Sequence, residues 1–296
     1  MGEQPIRILA SRHSAFYSPL LATLAGGFLR TEGWDATYAV LPKGRRARDL
    51  IRNGETDIAQ AAVSSSWGPM EKGEKDLPVH FAQINQRDGF FLTGRRAEPS
   101  FQWKLLEGAS LLADHGGQPL AMLQYAAHRM DVDWSRIVVI NAGGPEEMDA
   151  TFRTGRGDYV HLQGPAPQQL EAEGIGHVAA AVGEVIPPVA FSSLMASRAF
   201  LETRAAQAFM RAFRKARLWV TQAPAEEVAA AEARFFPAAD PKALADAIMS
   251  YQALGCWDGE PEIGRGRYEQ ALEVFLHSGG ITRRHTYEEV VVSPPA

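Results

Sequence analysis

Side chains that could hold a small molecule by noncovalent contacts are concentrated in a few short segments of this sequence. Arginine, serine, glutamine and histidine offer hydrogen bonds, glycine turns expose backbone N–H groups, and aromatic rings offer stacking faces. The candidate ligand-binding residues are Arg12, His13, Phe16, Tyr17, Ser64, Ser65, Ser66, Trp67, Phe90, His115, Gly116, Gly117, His161 and Gln163. These residue types favour binding of a small anionic or aromatic compound.

Position relative to predicted strands singles out these residues. The segments SRHSAFY, SSSWGP, DHGGQ and HLQGP each follow a predicted strand. Sites in open α/β sheets lie beyond the carboxyl ends of the strands, where helix N-termini attract anions and carbonyl oxygens. We expect Trp67 to stack on the ligand, Phe90 to add a wall, and His13 and His161 to face each other across a cleft.

Signatures of catalysis are sparse. The sequence has no glycine-rich phosphate loop ending in Lys-Ser/Thr, no dinucleotide fingerprint in a strand–loop–helix context and no His-x-x-x-His spacing. The single Cys256 can form neither an internal disulfide nor a zinc site by itself. No lysine lies in the four segments to form an aldimine with pyridoxal phosphate. We therefore predict no cofactor and no metal, and favour binding over catalysis; in an enzyme, His13 or His161 would be the acid or base.

Composition limits the partners. A chain of 296 residues with 46% hydrophobic residues can bury one or two cores. The net charge of −5 argues against a nucleic-acid partner. No apolar run reaches the roughly 18 residues that span a bilayer, so we predict no membrane insertion. The start, MGEQPIRILA, lacks the pattern of a secretory leader, which predicts a cytoplasmic protein unless a leader was removed.

The order of predicted elements indicates an α/β fold. IRILAS reads as a strand, and the following helix has Ser18 as N-cap and Pro19 at its first position. Further strands alternate with helices through the first third of the chain, a pattern typical of parallel pairing. The same order recurs from residue 108, with GASLLAD as the first strand.

A duplicated motif marks equivalent steps of the two series. RNGETDIAQ and RTGRGDYVHLQ both contain Arg-x-Gly-x-x-Asp where a short helix turns into a strand. The paired positions are Arg52, Gly54 and Asp57, and Arg153, Gly155 and Asp158. The duplication predicts two similar lobes. We assign residues 1–91 and 189–296 to a discontinuous lobe one and residues 92–188 to lobe two.

Three segments carry a family resemblance. FYSPLLATLAGGFLRTEGWDATY, GDYVHLQGPAPQQLEAEG and VIPPVAFSSLMASRAFLETRAAQAFMRAFRKA resemble type II periplasmic solute-binding proteins of the nitrate, sulfonate and thiamine-precursor (NMT1/THI5-like) group. The resemblance covers about residues 5–235. It implies a two-lobe Venus-flytrap architecture in which each lobe is a mostly parallel sheet flanked by helices.

The resemblance also implies a function. Such a protein closes its cleft on a small solute, here of the sulfonate, pyrimidine or aromatic carboxylate class, and passes it to an ABC permease. The location would then be periplasmic, with a leader removed. The alternative is an enzyme on the same scaffold, a decarboxylase or a synthase of the thiamine pyrimidine. The cysteine-rich signature of that synthase branch is absent, since Cys256 stands alone.

Overall fold

Ten β-strands form two separate five-stranded sheets in the computed structural model, which describes residues 4–296. The first sheet has the order β2-β1-β3-β10-β4 and the second the order β7-β6-β8-β5-β9. The strands are β1 (Ile6–Ala10), β2 (Ala36–Val40), β3 (Ile58–Ala61), β4 (Val79–Asn85), β5 (Phe90–Gly94), β6 (Ser110–Leu112), β7 (Val138–Ile140), β8 (Tyr159–Gln163), β9 (His177–Ala181) and β10 (Ser192–Ala196).

The two sheets share one topology. In the first, β1 pairs in parallel with β2 and β3, and β10 pairs antiparallel with β3 and β4. In the second, β6 pairs in parallel with β7 and β8, and β5 pairs antiparallel with β8 and β9. Four strands of each sheet therefore run in one direction and a single strand runs against them. The predicted α/β fold with two similar, mostly parallel lobes is confirmed.

Helices flank both sheets. They are α1 (Ser18–Ala25), α2 (Phe28–Thr31), α3 (Ala47–Arg52), α4 (Ser64–Glu71), α5 (Gln118–Arg129), α6 (Pro145–Arg153), α7 (Ala166–Ala172), α8 (Val182–Val185), α9 (Arg198–Leu201), α10 (Arg204–Gln222), α11 (Ala225–Glu232), α12 (Pro241–Ala253), α13 (Arg265–His277) and α14 (Tyr287–Val290). Short 3-10 helices lie at Ala15–Tyr17, Trp103–Leu106, Trp134–Arg136 and Ala233–Phe235. Within residues 4–296, no helix is both long and apolar enough to cross a membrane.

The duplicated aspartates make the same contacts in both lobes. The Asp57 carboxylate accepts a hydrogen bond of 2.8 Å from the Arg7 backbone N–H, while its own N–H donates to the Arg7 carbonyl. Asp158 makes the same pair of contacts with Ser110, with 2.8 Å from the Ser110 N–H to its carboxylate. Each aspartate thus fixes the start of its own strand to the start of the neighbouring strand in the sheet, β3 to β1 in the first sheet and β8 to β6 in the second. The same contact in both lobes explains why the motif occurs twice.

The chain crosses between the sheets twice, and the two crossings lie side by side. After β4 it enters β5, and before β10 it returns; the Val189 N–H donates to the Gln86 carbonyl at 2.8 Å. Phe90 and Phe91 pair with β8 and β9. They therefore belong to the second sheet, although the predicted boundary assigned residues up to 91 to lobe one. The residue bounds of the lobes as units stay a prediction.

The segment SSSWGP is not the loop that the sequence predicted. Helix α4 begins at Ser64 itself, so all three serines lie in its first turn. Trp67 lies one turn further along the helix. This difference decides which side chains of the segment can reach the space between the lobes.

Candidate functional site

A cavity of about 520 Å³ lies between the two sheets. Its walls come mainly from the segments that follow β1, β2 and β3 on one side and from the ends of β6 and β8 on the other, with Phe191 and Ser192 at the start of β10. The side chains that define its chemistry are Ser11, Arg12, Tyr17, Arg46, Arg48, Gln60, Ser64, Ser65, Ser66, Phe90, Gly116, Gly117, Gln118, Gln163, Phe191 and Ser192. The cavity is thus shared by both lobes, at the edge where a ligand site is expected in α/β sheets.

A hydrogen-bonded polar wall covers the first-sheet side. The backbone N–H and the hydroxyl of Ser11 both donate to Gln60 Oε1, at 2.8 and 2.5 Å. The hydroxyl of buried Tyr17 lies near the side chains of Ser11, Gln163 and Ser192. Burial raises the pKa of Tyr17, which keeps it a neutral donor and acceptor at ordinary pH.

Two helix N-termini from opposite lobes meet at the cavity. The first turn of α4 contributes Ser64, Ser65 and Ser66, and the turn before α5 contributes Gly116 and Gly117. The two helices are joined directly, because Ser64 Oγ donates to Gln118 Oε1 at 2.7 Å. Free N–H groups and the dipole at a helix N-terminus favour an anion or a carbonyl oxygen.

An ion pair bridges the lobes beside these helices. The Arg12 guanidinium bonds to the Asp114 carboxylate, and both residues stand two positions beyond the end of an equivalent strand, β1 and β6. The pair leaves no room for a side chain at Gly116, where a Cβ would lie 2.8 Å from Asp114 Oδ1. Arg12 also stands over the Phe90 ring, 5.5 Å from its centroid.

The charged side chains that line the cavity are all positive among the described residues. Arg12, Arg46 and Arg48 line it, and no aspartate or glutamate among residues 4–296 does. Arg12 is paired with Asp114, and Arg48 lies 3.1 Å from Glu74. Arg46, at the N-cap of α3, has no ion-pair partner in the part of the chain that the structure describes. An anion entering the cavity therefore meets positive charge and no carboxylate.

Comparison with known families identifies the chain. The model of the NMT1-like family matches residues 14–234, which is most of the chain. The protein belongs to the NMT1-like family. Among curated proteins, "Putative binding protein YtlA" of Bacillus subtilis (strain 168) is 27% identical over 290 residues, covering 97% of this chain and 87% of YtlA.

Solved structures show that this family member has the two-lobe periplasmic-binding-protein fold. The ligand-binding component of an ABC-type import system from Staphylococcus aureus, solved with zinc bound, superposes with a TM-score of 0.76 at 14% identity, covering 98% of this chain and 97% of that one. The alkanesulfonate-binding protein SsuA from Xanthomonas axonopodis pv. citri, bound to MOPS, superposes with a TM-score of 0.74 at 13% identity, covering 99% of both chains. The predicted family and architecture are confirmed.

Most of the residues predicted to bind ligand in this NMT1-like protein lie together in the cavity wall. They are Arg12, Tyr17, Ser64, Ser65, Ser66, Phe90, Gly116, Gly117 and Gln163. Contact of these side chains with a ligand stays a prediction. Their common position follows from the equivalent strand ends of the two lobes.

Two aromatic residues predicted to bind ligand lie in the core instead. Trp67 is fully buried, its Nε1–H donates to the Tyr268 hydroxyl at 3.0 Å, and its ring packs edge-on against Phe275. Phe16 is also fully buried and packs against Tyr251. The stacking role expected for Trp67 is wrong in this structure, because only the first turn of α4 reaches the cavity.

The histidines do not face each other across the cleft, so that expectation is wrong too. The His13 ring lies on Phe236, with centroids 4.4 Å apart, and its Nε2 lies 2.5 Å from the Phe235 carbonyl. His161 is fully buried under Phe90, with centroids 4.3 Å apart, and burial lowers its pKa to about 3. His115 is exposed, and its Nδ1 lies 2.7 Å from the Ala113 carbonyl. None of the three lines the cavity, and the comparisons do not favour the alternative of an enzyme with His13 or His161 as acid or base.

Several cavity residues were missed by the sequence prediction. Arg46 and Arg48 follow β2, a strand end that was not considered, and Gln60 lies inside buried β3. Gln60 could have been predicted from the sequence, because a glutamine in an otherwise apolar strand must find a hydrogen-bonding partner or face a cavity. The two arginines in GRRARD resemble an ordinary charged surface helix, and their position in the cavity depends on the tertiary fold.

Proposed function

We propose that this protein is the solute-binding component of an ABC-type import system and that its cavity closes on a small organic anion. The observation that carries the proposal is the charge of the cavity wall, which contains three arginines and, among residues 4–296, no carboxylate. The serine hydroxyls of α4 and the N-terminus of α5, from opposite lobes, add donors at the same place. The names of YtlA and of the S. aureus and X. axonopodis proteins support binding as the activity.

The anion is a sulfonate or a carboxylate on an apolar or aromatic body. The oxygens of a sulfonate or of a carboxylate can accept hydrogen bonds from serine hydroxyls and from an arginine fork at once. The rings of Phe90 and Phe191 provide an apolar wall for the rest of the molecule. An uncharged pyrimidine gains no charge interaction with Arg46, so we rank this class below the anions.

Closure couples binding to recognition by a membrane partner. The Arg12–Asp114 ion pair and the Ser64–Gln118 hydrogen bond join the lobes directly. A ligand that touches α4 and α5 together adds to these contacts only in the closed form, and it shifts the equilibrium by that differential affinity. The permease would then bind the closed form, outside the cytoplasm.

A thermal-shift comparison of matched compounds tests the proposed ligand class. Benzenesulfonate is compared with benzenesulfonamide, and benzoate with benzamide, so that charge changes while shape stays close. A ligand at a hundred times its Kd stabilises the folded protein by about 2.7 kcal/mol, which raises Tm by several degrees in a protein of this size. We expect the anions to raise Tm and the neutral analogues to raise it less. Equal shifts within each pair, or no shift with any anion, would contradict the proposal.

A further inference from the structure

One glutamine in the cavity wall is not satisfied by the residues that the structure describes. Gln163 is 8% exposed, and within residues 4–296 neither its Nε2 nor its Oε1 makes a well-formed hydrogen bond. The Tyr17 hydroxyl lies nearby, but it is shared with Ser11 and Ser192 and can serve at most one of the two amide atoms. Leaving a buried amide without a hydrogen-bonding partner destabilises the folded protein. Since its side chain lines the cavity, the missing partner is expected in the cavity rather than in the protein.

The backbone of Gln163 is fixed on both sides. The residue is the last of β8 and pairs with Phe90 of β5. The Gly164 N–H donates to the Tyr251 hydroxyl at 2.6 Å, and the Gly164 carbonyl accepts from Ser14 Oγ at 2.9 Å. These contacts come from first-lobe residues and hold the end of the strand against the cavity, so the amide is positioned before any ligand arrives.

The other glutamines of the cavity are already engaged. Gln60 Oε1 accepts from Ser11, and Gln60 Nε2 donates to the Ala61 carbonyl at 3.2 Å. Gln118 Oε1 accepts from Ser64, and its Nε2 donates to the Phe191 carbonyl at 2.8 Å. Within the described residues, Gln163 is therefore the cavity glutamine whose donor and acceptor are not both satisfied by the protein.

A side-chain amide presents a donor beside an acceptor, and the group that matches both has an acceptor beside a donor. We infer that the ligand carries such a neutral group, a carboxamide, lactam or ureide, at the end that meets Gln163. This inference rests on the proposed function, which places the anionic group of the same ligand at the helix N-termini and Arg46. The ligand is thus bipolar, with charge at one end and an amide at the other.

A second carboxylate at this end would fit less well. A carboxylate only accepts hydrogen bonds, so it would satisfy Gln163 Nε2 and leave Oε1 facing negative charge. A flat amide also suits the neighbours, because the rings of Phe90 and Tyr17 line the same part of the cavity. The wall at Gln163 therefore selects for a neutral, planar polar group.

Isothermal titration with three sulfonates of similar shape tests this inference. The probes are 4-carbamoylbenzenesulfonate, 4-acetylbenzenesulfonate, which lacks the donor, and 4-isopropylbenzenesulfonate, which lacks donor and acceptor. We expect the wild-type protein to bind the carbamoyl compound about 10-fold or more tighter than the isopropyl compound, with the acetyl compound between them. Gln163→Met should remove this preference, because its side chain offers the ligand neither a strong donor nor a strong acceptor.

Gln168→Met is the matched control. Gln168 is also buried, its Oε1 also lacks a partner in the described chain, and it does not line the cavity; its replacement should leave the preference intact. Equal affinity of the wild-type protein for all three sulfonates would overturn the inference and leave the proposed function standing, since the amide would then hold only water. Failure of all three to bind would contradict the proposed function and the inference together. The wild-type comparison does not depend on the folding of any variant.

Discussion

Arg12 and Asp114 join the two lobes at equivalent positions, each two residues beyond the first strand of its own sheet. The Arg12 side chain is 21% exposed and the Asp114 side chain 5% exposed, so the pair is largely withdrawn from water. Breaking such a pair from one side leaves a buried charge uncompensated, which costs far more than the pair itself contributes. Substitutions of Arg12 and Asp114 can therefore measure how strongly the stability of one lobe depends on contact with the other.

Replacing one partner of this pair should destabilise the protein more than replacing both. We expect Arg12→Gln to lower the free energy of unfolding by about 3 kcal/mol, because Asp114 stays buried without its counter-charge. The double variant Arg12→Gln/Asp114→Asn should regain part of that loss. Urea unfolding of the single and double variants measures the coupling, and strictly additive losses would show that the pair does not act as a unit.

The buried carboxyl of Asp88 should make stability depend on pH. Asp88 is fully buried, and its Oδ1 accepts from the Phe90 N–H at 2.7 Å. Burial raises the pKa of Asp88 to about 8, so the folded protein keeps a proton that the unfolded chain releases near pH 4. Stability is therefore lost progressively as the pH rises from about 4 to about 8.

Asp88→Asn keeps the acceptor and removes the titration. We expect the variant to be more stable than the wild-type protein at pH 9, with the difference shrinking toward pH 4. Urea unfolding at pH 5, 7 and 9 measures this, with exposed Asp35→Asn as the control that should show no such trend. A difference between Asp88→Asn and wild type that does not vary with pH would rule out the assigned titration.

Trp67 should prove structural. Trp67→Ala removes a fully buried ring and is expected to lower the free energy of unfolding by about 3–5 kcal/mol. Trp67→Phe loses the hydrogen bond to Tyr268 and leaves a smaller cavity, so it should cost less, about 1–3 kcal/mol. Since the ring does not line the cavity, Trp67→Phe should leave the affinity for benzenesulfonate unchanged. A tenfold weaker affinity of that variant for benzenesulfonate would instead indicate that Trp67 contacts the ligand.

A side chain at Gly89 should disturb the crossing between the lobes. A Cβ there would lie 2.2 Å from the buried Phe16 ring, so Gly89→Ala must displace that ring and is expected to cost about 1–3 kcal/mol. Gly68→Ala is the matched control, because nothing lies within 4 Å of its Cβ in α4; it should be neutral or stabilising by up to about 1 kcal/mol. Thermal unfolding measures the stability of both variants, and equal stability of the two would contradict the predicted clash at Gly89.

Two histidines should make closure sensitive to acid. His128 of α5 and His277 of α13 stack across the lobes with ring centroids 4.3 Å apart. Burial, and then the charge of His128, lowers the pKa of His277, so the stacked contact is present at neutral pH and is lost as the pH falls below about 6.5.

Small-angle X-ray scattering at pH 7.5 and 5.5 measures this opening. The radius of gyration should rise in acid for the wild-type protein and stay constant for His277→Gln. His177→Gln, which changes a histidine outside the stacked pair, should behave as the wild-type protein does. An unchanged radius of the wild-type protein at pH 5.5 would exclude the histidine pair as a determinant of closure.

Patterns local to the chain predicted the fold well. The repeated order of strands and helices, and the duplicated aspartates that clamp Arg7 and Ser110, express contacts that recur in each lobe. Strand ends also pointed to Arg12, Ser64 and Gln163, which line the cavity, while their contact with a ligand stays a prediction. These predictions succeeded because the positions of strand ends follow from short-range sequence.

Side-chain direction limited the prediction of the site. His161 and Gln163 lie on the same face of β8, but His161 is two residues, or about 7 Å, back from the strand end and is covered by Phe90. Trp67 follows the serines along a helix that the sequence suggested to be a loop. Arg46 reaches the cavity only because β2 and β3 are brought alongside β1, which depends on long-range pairing.

The affinity for benzenesulfonate, measured when positive charge is removed inside and outside the cavity, decides whether the cavity binds anions. Arg46 lines the cavity without an ion-pair partner among the described residues, whereas its neighbour Arg45 lies 2.8 Å from Glu55 and does not line it. Isothermal titration should show that Arg46→Gln weakens binding about tenfold, as expected for a charge-assisted hydrogen bond of about 1.5 kcal/mol, and that Arg45→Gln binds as the wild-type protein does. Equal affinities of the two variants, or no binding by the wild-type protein, would contradict an anion-binding cavity.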